Sequence, residues 1–267
     1  MADKNKALET MKQNLLKYKD AVVIVGNDAV REANLFHATE NNAQAYSRRN
    51  MVKNPQEYWN VYKLNIAENS HNQTATKDQK ALLELLKTGI IKTVIDANYD
   101  GYLKDHMPDN IEYIQLKGDR RELFCTKCNK IIPYSRDITG DKVLLHNDFD
   151  ESSDCEGKVQ PTVPHYNSKV PKQLWKQIVD SIFDTTDANN PTLNTHALIL
   201  VGIDIGEDIV GDLIDFYKEV RGKNNLQHLL IAITYKTPQL IETLEAEFGT
   251  ADEIDESLLR LKQMLEE

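Results

Sequence analysis

Five short apolar runs do most to limit what this chain can fold into. They are AVVIVG at 21–26, IIKTVIDAN at 90–98, IEYIQL at 111–116, ALILVG at 197–202 and HLLIAIT at 228–234. AVVIV, ALILV and LLIAI are apolar at consecutive positions rather than alternate ones, so both faces must be covered. Such strands belong to parallel sheets sandwiched between helices. With 267 residues and 40% hydrophobic content, the chain can bury a core of that size.

The segments between the runs have helical periodicity. Residues 5–17 put Ala7, Leu8, Met11, Leu15 and Leu16 on one face. NPQEYWNVYKLNI carries Pro55 near a helix start and aligns Tyr58, Trp59 and Tyr62. DQKALLELLKTG is stopped by Gly89, and about 168–183 turns Leu174, Ile178, Val179 and Ile182 inward. EDIVGDLIDFYKEV joins two strands. TPQLIETLEAEFG has Thr237 as cap, Pro238 at the first turn and Gly249 at the end, and a last amphipathic helix follows. The expected fold is α/β, an open Rossmann-like parallel sheet. Ligands of such sheets bind beyond the carboxyl ends of the strands. Here those ends read GNDAV, DANYDG, LKGD and GIDIGED.

The formal charge is −10, and Lys and Arg are scattered, which argues against nucleic acid as the main partner. No apolar run reaches the length of a membrane span, and MADKNKALETMKQ lacks the apolar core of a signal peptide. The expected location is cytoplasmic. Residues 119–165 break the α/β pattern: they are polar, show no long period and hold all three cysteines. Cys125-x-x-Cys128 followed by Cys155 supplies three thiolates of a tetrahedral zinc site. The fourth position falls to His146, the better ligand, to Asp154 or to water, or the metal is lost. Free thiols in a lobe held by its own packing are the competing reading.

Taken in order, these strand ends and the cysteines resemble the sirtuin family along nearly the whole chain. VVIVGNDAVREANLF sits where sirtuins carry Gly-Ala-Gly-Ile-Ser and a following Gly-Ile-Pro-Asp-Phe-Arg. NPQEYWNVY is similar to the family's small-lobe aromatic helix. DANYDGYL occupies the place of Thr-Gln-Asn-Ile-Asp-Gly-Leu, and YIQLKGDRRELFCTKC that of the strand delivering His-Gly before the first zinc cysteines. CEGKVQPTVPHYNSKVP resembles the last zinc cysteine and the segment lining the acyl-lysine channel. VGIDIGEDIV stands for Gly-Thr-Ser-Leu. The resemblance implies one sirtuin-like domain over 1–267, with a Rossmann-like core at about 5–33, 76–118 and 166–267 and a small lobe at about 34–75 and 119–165. It also implies NAD as cofactor at Gly26, Asn27, Asp28, Asn98, Asp100, Gly202 and Asp204, with a protein substrate or partner.

Departures from the family are concentrated at the chemistry. Lys117 stands where the catalytic histidine is expected. Asp28 replaces the second phosphate-site glycine, and Asn34, Phe36 and His37 replace the next Gly, Pro and Asp. Ala97 replaces the Gln, though Asn98 and Asp100 remain. Ile203 and Asp204 replace Thr-Ser, Tyr166-Asn167-Ser168 replaces Phe-Gly-Glu, and Ser152 falls at the third zinc cysteine. A lysine is a poor general base because its amine titrates near ~10.4. Lys117 is left with three roles: an ion pair with Asp100, a contact to ligand, or a base. Asp28 and Asp204 oppose a pyrophosphate unless they turn away as helix caps.

Lys117-Gly118-Asp119 also resembles the macrodomain-linked branch, in which a polar residue precedes Gly-Asp and whose activity is protein ADP-ribosylation. Two function classes follow. One is an NAD-dependent ADP-ribosyl or acyl transferase with altered chemistry, its catalytic candidates being Lys117, Asn98 and Asp100. The other is an inactive sirtuin-fold module that binds a protein or an ADP-ribose-type nucleotide.

Overall fold

The computed structural model describes residues 2–27, 29, 44–67, 75–135, 138, 140–165, 168, 170–187, 191–203, 208–223, 229–233 and 254–267. The helix expected at 237–249 lies outside them. Ten strands are described: β1 (Ala21–Val25), β2 (Ile91–Asp96), β3 (Glu112–Gln115), β4 (Glu122–Cys125), β5 (Ile131–Pro133), β6 (Val159–Pro161), β7 (Phe183–Asp184), β8 (Thr192–Leu193), β9 (Ala197–Val201) and β10 (Leu229–Ile233). All five sequence-expected strands pair in one sheet of order β10-β9-β1-β2-β3. Every pairing in it is parallel, with Val23 opposite Val94 on one side and Ile199 on the other.

The reason for apolar residues at every position of β1 is now plain. Val23 and Val25 point into one cluster with Val94, Ile199 and Val201, covered by Met11, Leu82, Leu85, Leu258 and Leu261 from three helices. Val22 and Ile24 point into the opposite cluster with Ile95, Leu198 and Leu200, covered by Ile178, Ile182, Leu213 and Tyr217. No described helix is long and apolar enough to cross a membrane.

A third cluster lies beside the sheet. Tyr46, Tyr58, Trp59, Tyr62 and Ile66 pack on Leu123, Ile132, Leu144, Val159 and Val163. Leu123, Ile132 and Val159 come from a three-stranded antiparallel sheet of order β5-β4-β6, and Leu144 and Val163 from the segments beside it. The sequence reading found no period in 119–165, because β4 has four residues and β5 and β6 three each. Strands so short show at most two inward side chains. The segment's core is shared with helix Pro55–Tyr62, whose three aligned aromatics are all buried.

One helix start reaches into the strand ends. Helix Lys77–Leu86 is capped by Thr76, whose hydroxyl accepts from the Gln79 amide while the Gln79 side chain accepts from the Thr76 amide. Both capping side chains bind onward. Thr76 Oγ1 donates to the Ala29 carbonyl at 2.9 Å, and Gln79 Nε2 donates to Asp100 Oδ2 at 2.6 Å. Local helix capping therefore also fixes the loops after β1 and β2.

Candidate active site and metal centre

The sheet reverses direction at β1: β2 and β3 run to one side, β9 and β10 to the other. A crevice opens at such a point beyond the strand ends, and Gly26 and Gly202 sit there. The Gly26 amide donates to the Val201 carbonyl at 2.8 Å. A Cβ on Gly26 would lie 2.4 Å from the Gly202 carbonyl oxygen, and one on Gly202, whose φ is +59°, would lie 2.3 Å from the Ala29 amide. Neither position has room for a side chain, because the turn after β1 and the end of β9 pack tightly against each other there. Asp28 and Asp204 lie outside the described residues, as do Asn34, Phe36, His37, Tyr166 and Asn167.

At the end of β2 Asn98 is locked and yet incomplete. Its Nδ2 donates to Asp96 Oδ1 at 2.9 Å and to the Gly26 carbonyl at 3.2 Å, while its backbone amide donates to the same Asp96 oxygen. Two acceptors facing Nδ2 fix the orientation of the amide. The buried Oδ1 is thereby left without a partner. Asp96 is itself held by the Tyr113 hydroxyl at 2.7 Å. Burial, then the charge of Asp100, pushes the Asp96 carboxyl up to about 7 against the hydrogen bonds from Tyr113 and Asn98. Burial likewise raises Asp100. The sequence reading expected an ion pair with Lys117 as one role for Asp100. Its oxygens instead accept from Gln79 and from the Tyr102 amide at 3.2 Å.

At the end of β3 Lys117 Nζ lies 3.4 Å from Asn27 Oδ1, across the crevice mouth. Gly118, at φ +68°, packs against the backbone of Thr162. Asp119 is fully buried and clasped by Thr162, which binds both its amide and its carbonyl. Its carboxylate holds Arg121 at 2.9 and 2.7 Å. Gly26, Asn27, Asn98, Lys117 and Gly202 are thus linked by successive contacts.

The three cysteines and His146 also converge. Cys125 Sγ lies 3.6 Å from Cys155 Sγ, and Cys128 Sγ lies 3.2 Å from His146 Nδ1. All four donor atoms fall within 4.8 Å of one another. The Lys127 amide points at Cys125 Sγ at 3.4 Å, and a Cβ on Gly157 would meet that sulfur at 2.3 Å. Three thiolates and one imidazole at this spacing suit a tetrahedral zinc ion. Ser152, at the family's third cysteine position, turns its hydroxyl to Asp150 instead.

No family model matches the chain. Among curated proteins it is 29% identical over 118 residues to an NAD-dependent protein deacetylase of Thermodesulfovibrio yellowstonii, 44% of each chain. It is 27% identical over 118 residues to one of Sulfurisphaera tokodaii, covering 44% of this chain and 45% of that protein. These matches span less than half the length of either relative. Among solved structures, a Sir2 homologue variant in complex with ADP-ribose superposes over 97% of this chain and 96% of its own, with TM-score 0.70 and 17% identity. A Sir2 homologue–NAD complex gives 0.68 at 15% identity, over 97% and 93%. The fold is the Sir2 fold. The deacetylase relatives support a place in the sirtuin family.

Within the Sir2 fold, sequence reasoning had missed Asp96, Gln79 and Arg120. Asp96 carries a signal in hindsight, because an acid closes an otherwise apolar strand end, TVID, in place of the family's Thr.

Two outcomes are expected. Protein purified without chelator carries about one zinc per chain by elemental analysis, and Cys155→Ser lowers both zinc content and thermal midpoint. A ratio near zero means the cluster holds no metal. The second outcome is pH dependence. An unfolded aspartate titrates near ~3.9, whereas folded Asp96 is raised to about 7. Between those values the folded protein keeps a proton the unfolded chain has lost, so stability falls as pH rises from about 4 to 7. Asp100 is raised too. Asp96→Asn should therefore shrink the loss, without abolishing it, in urea unfolding at pH 5 and pH 8.

Proposed function

We propose that this chain is a sirtuin-type protein whose cleft takes an ADP-ribose-type nucleotide, NAD foremost, and whose chemistry departs from ordinary deacetylation toward ADP-ribosyl transfer or an altered acyl transfer. The observation that carries the reading is Asn98, fixed by Asp96 and the Gly26 carbonyl with its buried Oδ1 unpartnered. A buried acceptor without a donor is costly, so a ligand N–H or O–H belongs there. A ribose hydroxyl or a carboxamide would supply it. The close approach of the turn after β1 to the end of β9 at Gly26 and Gly202 sets the backbone over which a pyrophosphate would lie. NAD, when bound, supplies an N-glycosidic bond at which the ribose can be transferred.

Lys117 departs most from the family. A lysine there offers hydrogen-bond donors and no acceptor, so it suits a ligand contact rather than the histidine's part. Lys117-Gly118-Asp119 therefore supports kinship with the macrodomain-linked branch rather than with ordinary deacetylases. The curated relatives named as deacetylases support NAD dependence, and a neighbour described as bound to a propionylated peptide supports an acylated protein as second ligand. One observation favours a non-catalytic module instead: Asp96 and Asp100 place two buried carboxylates beside the crevice.

Calorimetric titration with ADP-ribose and NAD tests the reading. Both are expected to bind, and Asn98→Ala to weaken ADP-ribose about fivefold, the worth of a hydrogen bond of about 1 kcal/mol. Deacetylation of an acetyl-lysine peptide is expected at least about 100-fold below a histidine-bearing sirtuin. Absence of nucleotide binding, or robust deacetylation, contradicts it.

A further inference from the structure

One side chain at the start of helix Lys77–Leu86 serves two partners. Gln79 is 2% exposed and lies in the first turn. Its Oε1 accepts from the Thr76 amide at 3.0 Å, and its Nε2 donates to Asp100 Oδ2 at 2.6 Å. A backbone N–H can only donate, so Thr76 fixes which end of the carboxamide it faces and leaves the donor end for Asp100. For the cap alone a glutamate serves as well, and its charge suits a helix N-terminus better. A glutamate would also set two carboxylates against each other at Asp100. The donor of Gln79 is therefore explained by Asp100 and not by the helix.

Asp100 is buried, and its other oxygen accepts from the Tyr102 amide at 3.2 Å. Burial raises its carboxyl, and the bond from Gln79 is the largest effect opposing that rise. The same cap reaches the far side of the crevice. Thr76 Oγ1 donates to the Ala29 carbonyl at 2.9 Å, and the Ala29 amide is the atom that a Cβ on Gly202 would meet at 2.3 Å. A line of contacts thus runs from the end of β9 through Ala29, Thr76 and Gln79 to Asp100. It is separate from the bond between the Gly26 carbonyl and Asn98.

We propose that Gln79 is a positioning residue of the cleft: its Nε2 holds the Asp100 carboxylate in place as an acceptor for a donor group of the nucleotide. The helix cap ties that position to the loop after β1. The nucleotide part rests on the sirtuin-type reading; the hold on Asp100 rests on the hydrogen bonds alone.

The test titrates NAD into two variants of the full chain at pH 6 and pH 9, each compared with wild type at the same pH. Gln79→Met has no donor at either pH, and its affinity is expected about fivefold or more below wild type at both. Gln79→Glu keeps the cap, and two carboxyls in contact share a proton at low pH that stands in for the amide hydrogen. That proton is lost as pH rises, so the deficit of Gln79→Glu is expected to grow about fivefold or more between the two pH values. Asp78 on the same turn, and Asp96, Tyr99, Tyr113, Asp119 and Arg120 around Asp100, are common to all three proteins. A role in the cap alone predicts a Gln79→Glu deficit that does not change with pH. That result overturns the proposal, as does a folded Gln79→Met that binds NAD like wild type. Should Gln79→Met fail to fold, Gln79→Glu decides. Hydrogen exchange without nucleotide reads the hold directly: the Tyr102 amide is expected to exchange faster in both variants at pH 9, and unchanged exchange overturns the proposal. A wild type that binds no NAD sinks the nucleotide reading, and Tyr102 exchange then decides the hold on Asp100 by itself.

Discussion

Everything in the cleft is placed by one backbone contact, the approach of the turn after β1 to the end of β9. The Gly26 amide bonds Val201, and no Cβ fits at Gly26 or Gly202. From that contact the Gly26 carbonyl orients Asn98, and Asn98 shares Asp96 with Tyr113 of β3. The order of strands in the sheet thus becomes the order of groups around the crevice. A side chain at either glycine would push β1 and β9 apart and lose the register of every group beyond them.

The same economy governs charge. Three buried acids lie within or near the seam, and the carboxylate of each is answered by specific donors: Asp96 by Tyr113 and Asn98, Asp100 by Gln79 and the Tyr102 amide, Asp119 by Arg121. Buried atoms without a partner among the described residues include the Asn98 oxygen and two nitrogens of Arg120. One is an acceptor and the other a donor pair, and they flank the Tyr99 turn. Proteins satisfy buried polar groups almost everywhere, and exceptions concentrate where ligands bind. The Asn98 oxygen has the polarity that a ligand hydroxyl would meet.

The parallel sheet was legible because burial on both faces writes itself as unbroken apolar runs such as ALILV. The metal cluster was legible because thiolates at Cys-x-x-Cys spacing have few other uses, and His146 followed from imidazole's affinity for zinc. The sheet β5-β4-β6 was not, since strands of three or four residues leave no period to count. Nor were the partners of the site residues. Gln79 lies 21 positions from Asp100, and Tyr113 17 from Asp96. Such pairings depend on how helix and strands pack. Arg120 was invisible for a related reason: an arginine in a polar stretch reads as exposed, and its burial depends on tertiary packing, including the bond from Tyr62 to its carbonyl.

The central claim is that the crevice between β1 and β9 is a nucleotide site completed by Asn98. Crystals grown with ADP-ribose test it most directly. The account predicts the ligand beyond the ends of β1 and β9, over Gly26 and Gly202, with a ribose hydroxyl donating to Asn98 Oδ1. Ligand bound elsewhere, or a crevice left empty at saturating ADP-ribose with Asn98 unchanged, would contradict it.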